Sequence, residues 1–332
     1  MNEQTVITPE KRYLVWIGLA IVYVVWGSTY LGIRVVVKDA PPLISMGLRF
    51  ITASLVLGTI VAARGGVRHL RIGPRQALGA GFLGLMLPML GNGLVSVGEQ
   101  EGAPSGFTAL LIAIAPLLIV VFRVAEGDRP RRLTLLGVLL GFAGLVFLVL
   151  AGSGAGGEIP LGPALIVLFA ASCWAFGSYV QRRLWLPADP FVTAVYEMLI
   201  GGTIATVVGL WSGERFTFAY PAKTWLALGY LVVFGSVVAF TAFVWLIANA
   251  PISLVATYAY VNPVIAVFLG WLILSEPVTV PIVVGGGVVV LAVAMVIGSE
   301  RVAARAPEPE SRDPMVGPGL DPGLDPCRGS AA

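Results

Sequence analysis

The stretch APISLVATYAYVNPVIAVFLGWLILSEP, Ala250 to Pro277, decides how the chain is read. It is an apolar run long enough to cross a membrane, and Asn262-Pro263 stands near its middle. Proline there removes one backbone hydrogen bond and crowds the preceding turn. The expectation is a helix kinked or broken at mid-depth, with carbonyls freed where a solute can meet them. An earlier copy is present, because Ala103, Pro104, Pro116 and Pro130 stand 147 residues before Ala250, Pro251, Pro263 and Pro277. Proline makes up 23 of 332 residues, so three prolines in register at one offset mark a duplication rather than a coincidence. Trp26 and Pro42 likewise stand 148 residues before Trp174 and Pro190, a one-residue indel from the other offset.

Composition sets the solvent. With 57% apolar residues, 12% charged and a mean hydropathy of +0.90, most of the chain is solvated by lipid. The net charge of +3 does not indicate a nucleic-acid partner. Its basic residues fall in short clusters between apolar runs, where membrane topology needs them, and form no continuous basic face. Cys173 lies in an apolar run and Cys327 in a polar tail, so no disulfide between them is expected. Leu14 to Val36 is too long for a signal-peptide core and is followed by no small-residue cleavage site, so it reads as the first span.

At about 20 apolar residues per crossing, ten spans result: 14–36, 42–63, 76–97, 103–123, 133–151, 161–180, 190–211, 223–247, 252–274 and 281–298. The fold expected is an all-α membrane protein, with ten transmembrane helices forming two five-helix inverted repeats at 13–151 and 161–298. A cytoplasmic N-terminus, 1–12, precedes them, and a disordered cytoplasmic tail rich in Pro, Gly and charge, 299–332, follows. The longest connection, Arg64 to Arg75, is twelve residues and leaves no soluble domain for chemistry outside the membrane.

Fourteen basic residues flank one face: Lys11, Arg12, Arg64, Arg68, Arg71, Arg75, Arg123, Arg129, Arg131, Arg132, Arg182, Arg183, Arg301 and Arg305. Arg34, Lys38, Arg215 and Lys223, four in all, flank the other. The richer face is read as cytoplasmic, with both termini on it. Five spans per unit is an odd number, so the second unit enters the membrane in the opposite sense.

These residues resemble a known family. WGSTYLGIR at Trp26–Arg34, PPLISMGLRF at Pro41–Phe50, GNGLVSVGEQEGAPSG at Gly91–Gly106, SCWAFGSYVQRR at Ser172–Arg183 and TYAYVNPVIAVFLGWLILSEPVT at Thr257–Thr279 are together similar to EamA-type permeases of the drug/metabolite transporter superfamily. The likeness covers about residues 13 to 299. It implies a multi-pass permease of the cell inner membrane, often an exporter of amino acids or other small metabolites, with a central cavity formed by spans 1, 3, 4, 6, 8 and 9. It implies no cofactor. One departure stands out: the second unit has SEPVT at Ser275–Thr279 where the first has GDRPRR at Gly127–Arg132, a difference that fits turns on opposite faces.

Inverted-repeat transporters hold their substrate near midplane, at the interface of the repeats. Polar groups inside lipid are costly and point at partners or a wet cavity. The candidates to touch a small-molecule substrate are therefore Trp26, Ser28, Thr29 and Tyr30 on span 1, and Asn92 on span 3 between two glycines. Trp174, Ser178 and Tyr179 on span 6 and Thr257, Tyr258, Tyr260 and Asn262 on span 9 complete the set. The structural alternative for each is helix packing, with hydroxyls bonded back one turn and aromatic rings filling gaps. Asn92 and Asn262 fit that alternative least well, since an amide needs partners that an apolar core lacks.

Three ionisable groups bear on coupling. Arg49 and Glu197 occupy matching places in spans 2 and 7, where they either approach each other or snorkel to opposite interfaces. Glu99, followed by Glu101, ends span 3 at the outer mouth, where it either binds a proton or a cationic substrate or is an ordinary solvated carboxylate. Glu276 reads as a solvated loop residue. Gly137, Gly141 and Gly144 on span 5 and Gly285–Gly287 on span 10 are spaced for close helix contact, within the chain or in a homodimer.

Other functional classes fit less well. An intramembrane enzyme would want an HExxH or GxSxG element, and the single histidine, His69, sits in a basic loop without fellow metal ligands. A channel would want rings of like polar groups along one path. No Walker motif supports direct use of ATP, which leaves proton exchange or passive facilitation.

Overall fold

The computed structural model describes residues 9–153, 161–250, 255 and 257–305. Nine helices among them are long and apolar enough to cross a membrane: α1 Tyr13–Val37, α2 Pro42–Gly65, α3 Pro74–Gln100, α4 Ser105–Ala125, α5 Arg132–Ala151, α6 Leu161–Arg183, α7 Pro190–Trp211, α8 Ala222–Phe243 and α10 Val280–Ser299. Between the last two lies α9, Tyr258–Leu274, apolar but shorter. The chain is an all-α, multi-pass membrane protein, with ten apolar helices among the described residues. Large apolar side chains such as Leu139, Leu150, Val207, Leu226 and Leu272 stand exposed on its outer surface, as lipid solvation requires.

Packing follows the duplication. The equivalent helices α2 and α7 cross each other, as do α5 and α10. α1 packs on α8 and α9 of the second unit, and its counterpart α6 packs on α3 and α4 of the first. Such paired exchange is what two oppositely directed five-helix units produce around a pseudo-twofold axis. Glycine brings the backbones together: a Cβ on Gly84 of α3 would stand 2.6 Å from the Glu197 carbonyl of α7 and 2.8 Å from the Gly201 nitrogen. The glycines of α5 and α10 serve packing within the chain, with Gly144 and Gly285 facing each other and Gly137 facing Ala292 and Val296.

Three expectations change. α9 is not broken at Asn262-Pro263 but runs through it. The continuous helix begins at Tyr258 after the turn at Thr257, so the proline ring meets the Ala259 carbonyl in the first turns of that segment. The break falls in the other copy, where α4 is interrupted at Ala113 and Ile114 just before Pro116. The last helix continues past Ser299 to Arg305; the rest of the expected tail, 306–332, and the first eight residues lie outside the described residues.

A candidate substrate cavity between the units

The middle of α3 and the middle of α8 depart from α-helical geometry at matching places. Leu85–Gly93 and Leu231–Val238 are π-helical, so their backbone bonds reach one residue further and the helix widens. Widening displaces carbonyls from the usual ladder and offers them to side chains. The Asn92 amide donates to the Leu87 carbonyl at 3.3 Å, and the indole N–H of Trp26 donates to the Gly235 carbonyl at 3.2 Å. Trp174, the counterpart of Trp26, lies against the other widened segment, its ring 2.9 Å from where a Cβ on Gly91 would stand.

Between these segments is a cavity of about 130 Å³, room for a small solute or several waters. Both units line it, through α1, α2, α3 and α4 on one side and α6, α7, α8 and α9 on the other. The lining rings of Trp26 and Tyr258 pack on each other and on Phe243 behind them, with ring centroids 4.9 to 5.7 Å apart. With its nitrogen turned toward them, the Asn262 amide donates to the Tyr258 and Tyr23 carbonyls at 3.3 Å each, pinning α9 to α1.

Two opposite charges face this space. Arg49 is 4% exposed and Glu197 8% exposed, so neither has snorkelled to an interface. Nor do they bond each other, for no ion pair joins them among the described residues. The Arg49 Nε donates to the Ser236 hydroxyl at 3.0 Å, an Nη lies 3.7 Å from the Met46 sulfur, and the guanidinium carbon sits 4.8 Å from the Phe50 ring centroid. A guanidinium carries five N–H donors, so most remain available to the cavity. Among the described residues, the Glu197 carboxylate has no hydrogen-bond partner.

Nine of the residues singled out from sequence line the cavity: Trp26, Thr29, Tyr30, Asn92, Trp174, Tyr258, Asn262, Arg49 and Glu197. The others are elsewhere. Ser28 bonds the Val24 and Val25 carbonyls and the Tyr230 hydroxyl at 2.6 Å. Thr257 bonds the Tyr23 hydroxyl, and Tyr260 packs into the apolar core around Phe107. Ser178 is half-buried outside the lining. Tyr179 sits at the charge-rich end, 3.0 Å from an Arg183 nitrogen. There the Arg183 guanidinium, followed by the Tyr179 hydroxyl, holds the Glu126 carboxyl down at about 2.

Glu99 departs most from expectation. It is fully buried, neither carboxylate oxygen has a partner, and Arg34 donates to its backbone carbonyl rather than its side chain. It is not a solvated loop carboxylate, and it lies outside the cavity lining. Glu276 is also bonded rather than solvated, on the start of α4.

Sequence reasoning missed the lining from Phe50, Met198, Gly235, Ser236 and Phe240. Ser236 carried the one usable signal, a hydroxyl inside an apolar run, but nothing local tied it to Arg49. The resemblance also omitted α2 and α7, which bring both charges.

The family model for EamA-like transporters matches residues 14–150 and again 161–298. The chain belongs to the EamA-like transporter family. It is thus a membrane transporter. An Escherichia coli K12 protein named as the uncharacterized inner membrane transporter YedA is 37% identical over 279 residues, covering 84% of this chain and 89% of its own. The uncharacterized transporter YvbV of Bacillus subtilis is 24% identical, covering 84% and 90%. A solved crystal structure covering 86% of this chain and 97% of its own superposes at a TM-score of 0.60 with 21% identity, which is a likeness of fold.

Proposed function

We propose that this protein is a secondary transporter of the inner membrane that exports amino acids or related small metabolites by alternating access. The observation that carries the reading is the pairing of Arg49 and Glu197, buried and unbonded to each other, on one aromatic midplane cavity lined by both units. A buried charge left without a partner is costly, and a zwitterion supplies both partners at once. Its carboxylate would take the free N–H donors of Arg49, and its ammonium would take Glu197 and the faces of Trp26 and Tyr258. The direction, outward, and both termini on the cytoplasmic side follow the resemblance and the distribution of basic residues. Proton coupling is assigned to Glu197 or Glu99, membrane carboxyls without a hydrogen-bond partner among the described residues.

Counterflow of radiolabelled neutral amino acids in proteoliposomes tests the reading. Arg49→Gln and Glu197→Gln are each expected to lower the rate roughly tenfold or more, the usual cost of an unmatched charge. Wild-type counterflow by both variants would remove it. Identical net flux with and without a pH gradient would remove the coupling alone.

A further inference from the structure

Five helices among the described residues end on a residue with positive φ: α2 at Gly66 (75°), α3 at Gly102 (116°), α4 at Gly127 (95°), α7 at Gly213 (89°) and α9 at Ser275 (55°). A left-handed residue folds the chain back over the last turn, so a following amide returns to a carbonyl inside the helix. Glu214 donates to the Gly209 carbonyl at 2.9 Å, Glu276 to Gly270 at 3.1 Å and Asp128 to Arg123 at 3.0 Å. The residue after each turn is thereby aimed across the helix end. These residues are Val67, Ala103 and Asp128 in the first unit and Glu214 and Glu276 in the second.

Only the second unit's pair reaches across. The Glu214 carboxylate accepts from the amides of Leu43 (3.1 Å) and Ile44 (2.9 Å), at the start of α2. The Glu276 carboxylate accepts from the amides of Ser105 (3.0 Å) and Gly106 (3.3 Å) and from the Ser105 hydroxyl (2.8 Å), at the start of α4. Gly209 and Gly270 make room, since a Cβ on either would strike the glutamate oxygen. Val67 and Ala103 have no side-chain acceptor to offer. Asp128, one methylene shorter than glutamate, is bound within its own turn to Arg123 and the Arg129 amide.

The two ends of the molecule are therefore tied differently. At the charge-poor end, anions sit on free amides at helix N-termini, where charge and dipole both favour them. Asp39 adds a bond from Thr224 at 2.6 Å there, and Ser45, Glu99, Ala103 and Ser105 are all fully buried. At the charge-rich end, the ties between units among the described residues include the Tyr196 hydroxyl on the Leu70 carbonyl, the buried Thr134 and Ser299 hydroxyls at 2.8 Å, and two exposed pairs, His69 with Asp189 and Arg183 with Glu126. Exposed pairs hold little.

We infer that Glu214 and Glu276 are positioning residues for transport: they hold the charge-poor end shut, and both must leave the N-termini of α2 and α4 before the cavity opens on that side. The inference rests on alternating access and on no particular substrate, so loss of amino-acid counterflow would leave it standing.

The test is a thiol reporter in full-length protein carrying Cys173→Ala and Cys327→Ser. Val95→Cys, which lines the cavity, is labelled by a membrane-impermeant charged methanethiosulfonate added from each face of sealed vesicles. Glu214→Gln with Glu276→Gln is expected to raise the rate from the charge-poor side roughly tenfold and to lower it from the other. Glu276→Asp, which gives the second unit the shorter side chain of the first, is expected to move both rates the same way by less. Unchanged rates would overturn the inference. Faster labelling from both sides at once would mean a structural staple only and would also overturn it.

Discussion

In the first unit α4 stops at Ile112 and resumes at Ala115, whereas in the second α9 runs unbroken from Tyr258 to Leu274. Both carry a proline at the same repeat position, so the sequence rule that proline breaks a membrane helix holds in one copy and is evaded in the other. Where the helix begins decides the outcome. α4 has more than two turns ahead of Pro116, while α9 has barely one ahead of Pro263. The same units contrast again at their ends, Val67 and Asp128 against Glu214 and Glu276. Duplication preserved the packing, and the ends diverged.

The largest expected effect breaks what the units share. Gly201→Val drives a side chain into the Gly84 backbone, which cannot yield as a flexible side chain can. It should cost about 1–3 kcal/mol or more, read as a fall in thermal unfolding temperature of the solubilised protein. Wild-type stability would mean that α3 and α7 do not meet there.

Next is the contrast between the ends. Glu276→Ala strands the amides at the start of α4 and should cost about 1–3 kcal/mol. Asp128→Ala, at the equivalent turn, should stay within about 1 kcal/mol. Equal losses would erase the distinction drawn between the ends.

At the charge-rich end the tie is pH-dependent. Arg183 holds the Glu126 carboxyl down to about 2, from an ordinary value of 4.5. A depressed carboxyl contributes stability above its unfolded value, and the contribution is lost as pH falls from about 4.5 toward 2. Glu126→Gln should therefore lie slightly below wild type at neutral pH and converge with it in that window. A gap that widens on acidification would contradict the assignment. The contribution is small, because both groups are exposed.

Smallest of all is Gly229→Ala on α8. A Cβ there meets nothing within 4 Å, so the change should be neutral or stabilising by up to about 1 kcal/mol. A clear loss would place an unseen neighbour on that face.

How much of this was legible follows from the distance over which each feature is encoded. Ten helices and the duplication were readable from prolines and apolar runs, which act locally. Nine cavity residues were found because a polar or aromatic side chain near the middle of an apolar span has few other reasons to be there. The widened segments were not readable. Pro88 hints at the one in α3, but Phe234, 146 residues later, has no such signature, so tertiary packing sets the second. Glu276 read as a solvated loop carboxylate and Glu214 drew no reading, because their partners lie 170 and 171 residues away. Of the two readings open for Glu99, the solvated carboxylate fails: a glutamate near a helix end ordinarily finds water, and this one is fully buried.

The central claim is that the two units face opposite ways across the bilayer. Val67 and Ser212 occupy corresponding turns after α2 and α7, and both are exposed. With the native cysteines replaced, Val67→Cys and Ser212→Cys, each alone, are labelled by an impermeant maleimide added from one side of sealed vesicles. The account predicts that the two thiols react from opposite sides. Labelling of both from the same side would contradict it.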